Sequence, residues 1–305
     1  MSTPLSTARL QPLRHSRCRY ARDITRNVLR GCIRETIACF PVYRTYIDER
    51  GRVDERDRHY IKAAIECAKR RNAYMAPAVF DFLQSILLLE LPESDSMVYG
   101  FRRQLYFTLK FQQLTGPVMA KGLEDTACYV YSRFISLNEV GGSPADFGTS
   151  IAQFHSANRV RAERWTHSML TSSTHDTKRS EDVRARLDVL SEMPRIWSAQ
   201  VMKWRRLNRQ RKLELSDGRV APDANEEYFL YQTLVGTWPL ELANIPGRNA
   251  ATQTVDSLTS THHEEVRQQF VSRIRQYMEK AVHEAKVNAS WVNPNPEYTS
   301  AGNEF

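Results

Sequence analysis

Ser173-Thr174-His175-Asp176-Thr177-Lys178-Arg179-Ser180-Glu181-Asp182-Val183-Arg184-Ala185-Arg186 is the stretch on which the fold of this chain turns. Its first half is a run of small and charged polar residues with His175 beside Asp176. Its second half opens a helix, because Val183, Leu187 and Leu190 recur at helical spacing. Glu181 and Asp182 fall where carboxylates meet the positive end of the helix dipole. Just upstream, Ser168-Met169-Leu170-Thr171 has the length and content of a short buried strand. Strand, polar cluster, helix is the order in which a barrel enzyme places its chemistry, at the C-terminal ends of parallel strands. On spacing alone, Asp176 reads as an N-cap for the helix through Val183.

The same order occurs earlier in the chain. Gly116-Pro117 interrupts a helical pattern, and Val118-Met119-Ala120 follows as a second strand candidate. It runs directly into Lys121-Gly122-Leu123-Glu124-Asp125. Residues 138–148, with Gly141, Gly142, Pro144 and Gly148, read as loop.

Helices surround both clusters. Ile24, Val28, Ile33, Ile37 and Phe40 mark an amphipathic helix over 21–40 that stops at Pro41, and Ile61, Ala64, Ile65 and Ala68 mark another over 55–73. Residues 78–91 and 99–114 are further candidates, separated by a turn at 92–96. Beyond Pro194, Trp197, Val201, Trp204 and Asn208 share one face over 195–212. Residues 216–224 read as a polar loop, and Asn225 as the N-cap of a helix carrying Tyr231, Leu234 and Val235. After a loop over 244–260, Thr261 and Glu264 fit a capping box that opens a long helix through Ala285. From Asn293 the low apolar content predicts a disordered tail. Trp197, Trp204 and Trp238 read as core-packing residues rather than sugar platforms, and His155 reads as structural.

Composition narrows the function classes. The 305 residues carry a net charge of +8, but two runs hold the surplus. One is Arg9, Arg14, Arg17, Arg19 and Arg22; the other is Lys203, Arg205, Arg206, Arg209, Arg211 and Lys212. Such runs read as a leader and a solvated helix face, so nucleic acid is not an expected partner. Cys18, Cys32, Cys39, Cys67 and Cys128 include no CxxC pair, so no metal site is expected and free thiols in a reducing cytoplasm fit. The longest apolar run, around Ile86 to Leu89, is too short to cross a bilayer.

Residues 173–186 closely resemble the fourth conserved region of the maltooligosyltrehalose synthases, a branch of the alpha-amylase family. Five further blocks resemble that family in the same order, over roughly residues 20 to 293. Asp23 to Arg30 with Ala38 to Tyr46 looks like its helical insertion. Lys121-Gly122-Leu123-Glu124-Asp125-Thr126 and Leu137-Asn138-Glu139-Val140-Gly141-Gly142 look like its next barrel strand and loop. Glu227-Tyr228 with Leu230 to Pro239, and Glu284-Ala285-Lys286 with Ser290-Trp291, follow. The chain departs from the pattern at Val130, where the family has an arginine, at Ser143, where it has an acid, and at Thr166, where it has a proline after the tryptophan.

The resemblance implies an α-1,4 to α,α-1,1 isomerisation at the reducing end of a maltooligosaccharide, by intramolecular transglucosylation, without cofactor or metal. It implies that Asp176 is the carboxylate stabilising the oxocarbenium-like transition state. His175, Lys121, Glu124 and Lys178 are then the expected substrate-binding residues. The family's nucleophile and acid lie in motifs upstream of the helical insertion, and residues 1–22 contain no acid. A cytoplasmic fragment, inactive by itself, is therefore expected; an upstream barrel half supplied in trans is one partner that would complete it. The alternative is a non-catalytic maltooligosaccharide-binding or interaction module. The expected fold is mainly α with a few parallel strands, a partial (β/α)8 barrel fragment with helical insertion domains. Its expected divisions are a basic tail (1–19), a helical insertion domain (20–116), barrel strands and loops with the His-Asp motif (117–194), a helical region (195–292) and a disordered tail (293–305).

Overall fold

A computed structural model describes residues 24–90, 97–243 and 257–305. The expected basic tail and the turn at 92–96 lie outside these residues, as does most of the loop at 244–260. The chain divides into two compact units between Gly122 and Leu123. Apart from one small hairpin, the described residues form helices and loops.

Unit 1 holds α1 (Arg26–Ala38), α2 (Glu55–Arg71), α3 (Pro77–Leu87) and α4 (Met97–Met119). Thr25 caps α1, its hydroxyl accepting from the Val28 N–H at 3.3 Å. α2 carries Glu55 and Asp57 in its first turn and Lys69, Arg70 and Arg71 in its last, charges that match both ends of its dipole. The apolar stripes meet in one core of Leu29, Ile33, Ile61, Ile65, Phe80, Leu83, Ile86, Phe107 and Phe111. A buried amide fixes the connecting segment: Gln112 Oε1 accepts from Thr45 Oγ1 and the Ile47 N–H, both at 3.1 Å, and Nε2 donates to the Ile47 carbonyl at 2.8 Å.

The first strand candidate is a correction. Val118 and Met119 end α4, which continues through Gly116-Pro117, and Ala120–Ala127 follow as a π-helical stretch. Proline removes one N–H and crowds the preceding turn, and the wider turns beginning three residues later continue the helix instead of breaking it.

Unit 2 starts within that stretch. It continues through α5 (Cys128–Val130), a 3-10 turn (Ile135–Leu137), α6 (Ile151–Arg164), α7 (Glu181–Asp188) and α8 (Pro194–Asn208). β1 (Leu213–Glu214) and β2 (Val220–Ala221) pair antiparallel, and α9 (Ala224–Thr237), α10 (Leu240–Ala243), α11 (Ser257–Ala285) and α12 (Pro296–Glu304) complete the chain. Tyr129, Ile135, Leu187, Leu190, Phe229, Ala281 and Ala285 form its core. α7 and α9 approach closely at Gly236, where an added Cβ would lie 2.9 Å from Val183 Cγ1.

Several expectations fail in unit 2 for local reasons. Ser168 to Thr171 takes no regular secondary structure and joins no sheet, and Met169 is 98% exposed, so it is not a strand here. The parallel strands of a barrel fragment are therefore absent among the described residues, whose only strand pairing is the β1–β2 hairpin, with β2 inside the expected polar loop. Helix α6 falls where no apolar stripe announces it; it buries no residue and starts at a Ser150–Gln153 capping box. Asp223, not Asn225, caps α9, accepting from the Asn225 and Glu226 N–H groups at 2.9 Å. α11 is already helical at Ser257, so Thr261 is not its start. The tail is not disordered: α12 buries Tyr298 and Ala301 against Leu215 and Ala221.

Candidate functional site

Unit 2 brings together three of the sequence blocks around one carboxylate. Glu139 Oε1 accepts from the N–H of Val140 at 2.7 Å and from the N–H of Lys178 at 2.8 Å. Its other oxygen faces Arg184 Nη1 at 3.5 Å on α7. Glu124 Oε1 in turn accepts from the Gly141 N–H at 3.3 Å. Block 121–126, block 137–142 and block 173–186 are thus tied by side chain to backbone bonds.

Two cations complete the tie. Lys178 Nζ donates to Asp125 Oδ1 at 2.9 Å and lies 5.5 Å from the centre of the Tyr129 ring. Arg179 donates to the carbonyls of Ile135 (3.1 Å) and Asn138 (3.4 Å) and to Tyr277 Oη (3.1 Å), and lies over Phe229. Asn138 closes the loop by donating to the carbonyls of Cys128 and Tyr131, both at 2.7 Å. In this setting burial pushes the Tyr129 phenol, the Tyr277 phenol and the Cys128 thiol up, although Arg179 or Lys178 draws each back. Those groups stay neutral near pH 7; Tyr129 packs against Phe229, and Tyr277 accepts from Arg179.

The frame carries a short turn at its edge. Thr177 Oγ1 donates to the Thr174 carbonyl at 2.8 Å, and Thr174 Oγ1 accepts from the Asp176 N–H at 3.2 Å. His175 Nε2 lies 3.4 Å from Asp176 Oδ2, with the two side chains 91% and 73% exposed. Ser180, not Asp176, occupies the N-cap position of α7, so the carboxylate of Asp176 is not spent on a helix end. Neither residue lines the cleft of about 760 Å³ formed by α7, α9 and α11, although Lys178 and Arg179 do.

The expected substrate contacts sort differently. Lys178 is turned inward, its side chain 13% exposed, and positions the turn through Asp125. Glu124 holds the Gly141 loop. Lys121 is exposed in the π-helical stretch and belongs to unit 1. Glu139 is the functional residue that sequence reasoning does not single out; its signal is that it sits inside a quoted block while carrying a charge that a loop must neutralise. Among the described residues no cluster of three or more His, Cys, Asp or Glu side chains could hold a metal ion, and no helix is long and apolar enough to cross a membrane.

The chain is 38% identical over 187 residues to a protein of Mycobacterium tuberculosis named as a maltooligosyl trehalose synthase. That match covers 61% of this chain and 20% of the relative. The solved maltooligosyltrehalose synthase of Arthrobacter ramosus superposes with a TM-score of 0.64 at 28% identity, over 90% of this chain and 28% of that one. The chain is related to one part of a maltooligosyltrehalose synthase. A hypothetical maltooligosyl trehalose synthase of Sulfolobus tokodaii agrees, with a TM-score of 0.59 and 28% identity over 99% of this chain and 34% of its own. No family model matches. The chain thus spans about a fifth of the length of the curated synthase it matches and about a third or less of these two solved synthases.

Proposed function

We propose that this chain supplies part of the active site of a maltooligosyltrehalose synthase, a cytoplasmic isomerase that acts by intramolecular transglucosylation. The observation that carries the reading is the exposed His175–Asp176 turn, held on a frame of Glu139, Lys178 and Arg179. An unsupported turn would wander, whereas a carboxylate must be placed to within a fraction of an ångström to favour a transition state.

In this role Asp176 binds hydroxyls of the sugar whose bond is cleaved, and the bond strengthens as positive charge grows on the ring. His175 donates to a hydroxyl of the same unit. The nucleophile and the acid that a retaining reaction needs are carried by another part of the synthase. The terminal α-1,4 bond opens through a glycosyl-enzyme intermediate, and the freed glucose turns and attacks through its anomeric hydroxyl. Maltooligosaccharide is the substrate, and the chain alone is inactive. The segment from Ser168 to Thr171, with Met169 and Leu170 exposed, becomes a barrel strand when neighbouring strands cover it, since an unpaired strand edge is a poor resting state in water.

The test is reducing-end loss from maltopentaose, with this chain alone and with the upstream barrel half of a relative. The expected result is silence alone and activity with the partner, and a loss of about a hundred- to thousandfold for Asp176→Asn in the mixture. Turnover by the chain alone, or full activity of Asp176→Asn, would overturn the reading.

A further inference from the structure

Unit 1 holds a pair of thiols with no part in the synthase reading. Cys39 is the C-cap of α1, its N–H closing on the carbonyls of Glu35 and Thr36. Cys67 lies on α2, one turn before Arg71. The ends of the two helices are tied, because Asn72 Nδ2 donates to Glu35 Oε2 at 3.2 Å and Arg71 Nη1 reaches Cys39 Sγ at 4.0 Å. Cys67 lies one helical turn from Arg71 on α2, so this registry sets its side chain beside Cys39. Both are half-buried, while Cys32 and Cys128 are buried. A thiol buried in apolar surroundings is inert; a partly exposed one with a second sulfur alongside is not.

We propose that Cys39 and Cys67 form a dithiol modification site that closes to a disulfide with low-molecular-weight disulfides. One thiolate attacks the small disulfide and expels one thiol, giving a mixed disulfide on the protein. The second cysteine, giving up its proton, attacks the protein sulfur of that mixed disulfide and expels the other thiol. Two protein thiols lose two electrons and two protons, and one disulfide becomes two thiols. The helices that carry Cys39 and Cys67 are already packed together in the reduced state, so closure does not require the two elements to find one another. Burial, and next the neighbouring Cys67 thiol, push the Cys39 thiol up to about 11, against the pull of Arg71. Closure therefore quickens as pH rises from 7 toward that value.

The full chain carrying Cys18→Ser, which removes the one cysteine outside the described residues, is treated with oxidised glutathione at pH 8 and trapped with an alkylating agent. Peptide mass spectrometry is expected to find Cys39 joined to Cys67, with Cys32 and Cys128 alkylated only after denaturation. Cys39 and Cys67 recovered only as separate glutathione adducts or separate alkylated peptides would overturn the proposal. Phenylarsine oxide, which bridges two adjacent thiols, gives a measurement independent of oxidation. It should bind the reduced chain about a hundredfold more tightly than the Cys67→Ser chain, because the second sulfur binds intramolecularly. Equal binding by the two chains would count equally against the site.

Discussion

Phe80 and Phe154 are the same residue type in helices of similar length, and they have opposite fates. Phe80 on α3 is 0% exposed, inside the core of unit 1; Phe154 on α6 is 57% exposed, on a helix that buries no residue. Unit 1 is ordered by burial: its helices present apolar stripes, and each stripe finds another. The loops of unit 2 around Glu139 and Arg179 are ordered by hydrogen bonds between a few charged side chains and loop backbone. The first kind of order is cheap to specify and tolerant of surface change. The second depends on single atoms, and it is the kind that holds the His175–Asp176 turn.

Truncating a buried aromatic should have the largest effect. Phe80→Ala is expected to destabilise unit 1 by about 4 kcal/mol, read as the midpoint of denaturant unfolding. A loss below about 1 kcal/mol would mean that the helix core is not what holds the unit. Glu139→Ala should come next, at about 2 kcal/mol, since the N–H groups of Val140 and Lys178 lose their acceptor. The matching measurement is amide exchange over 138–142 and 174–180, which should quicken while exchange in α9 stays slow. Glu139→Gln keeps an acceptor and should be milder; if the two variants exchange alike, the ion pair with Arg184 is the dominant contact instead.

Glu226 sharpens the contrast between burial and polar order within unit 2. Burial raises its carboxyl above 4.5, opposed by hydrogen bonds from Tyr298 and Asn288, with nearby Asp223 adding to the rise. A carboxyl raised in the folded state favours folding in its protonated form. That contribution is full below pH 4.5 and is lost as pH climbs through the raised value. Relative to the wild type, Glu226→Gln should therefore remove a stability decline over that window, followed by thermal melting across pH 4 to 7. Parallel profiles for the two proteins would show that Glu226 is not the titrating group. The smallest effect is expected for Phe154→Ala, under about 0.5 kcal/mol in the chain alone. A loss close to that of Phe80→Ala would mean that α6 is covered in solution.

The two kinds of order also differ in how legible they are. The spacing of Ile61, Ala64, Ile65 and Ala68 reveals α2, and that of Val183, Leu187 and Leu190 reveals α7, because a buried stripe leaves a period in the sequence. α6 leaves no such period, and its only sequence signal is the Ser150–Gln153 capping box. α12 falls where the sequence predicts a disordered tail, because Tyr298 and Ala301 are too few apolar residues to signal burial, yet they suffice against Leu215 and Ala221. The strand readings failed because a short apolar run does not say whether a neighbour exists. In Val118 and Met119 the local helix carries on through proline, and at Met169 no neighbouring strand is present among the described residues.

The sequence by itself determined the helix-rich character of the chain, the amphipathic helices of unit 1, and the ordered blocks that relate it to the synthases, because these are properties of residue type and spacing. It also marked Asp176 and His175. Only the tertiary structure decided that Asp176 is not a helix cap, that Lys178 turns inward to Asp125, and that Glu139 joins blocks far apart in the chain. Which donor meets which acceptor is fixed by three-dimensional proximity, and a charge in a sequence does not reveal whether it will face water, a sugar or a backbone N–H.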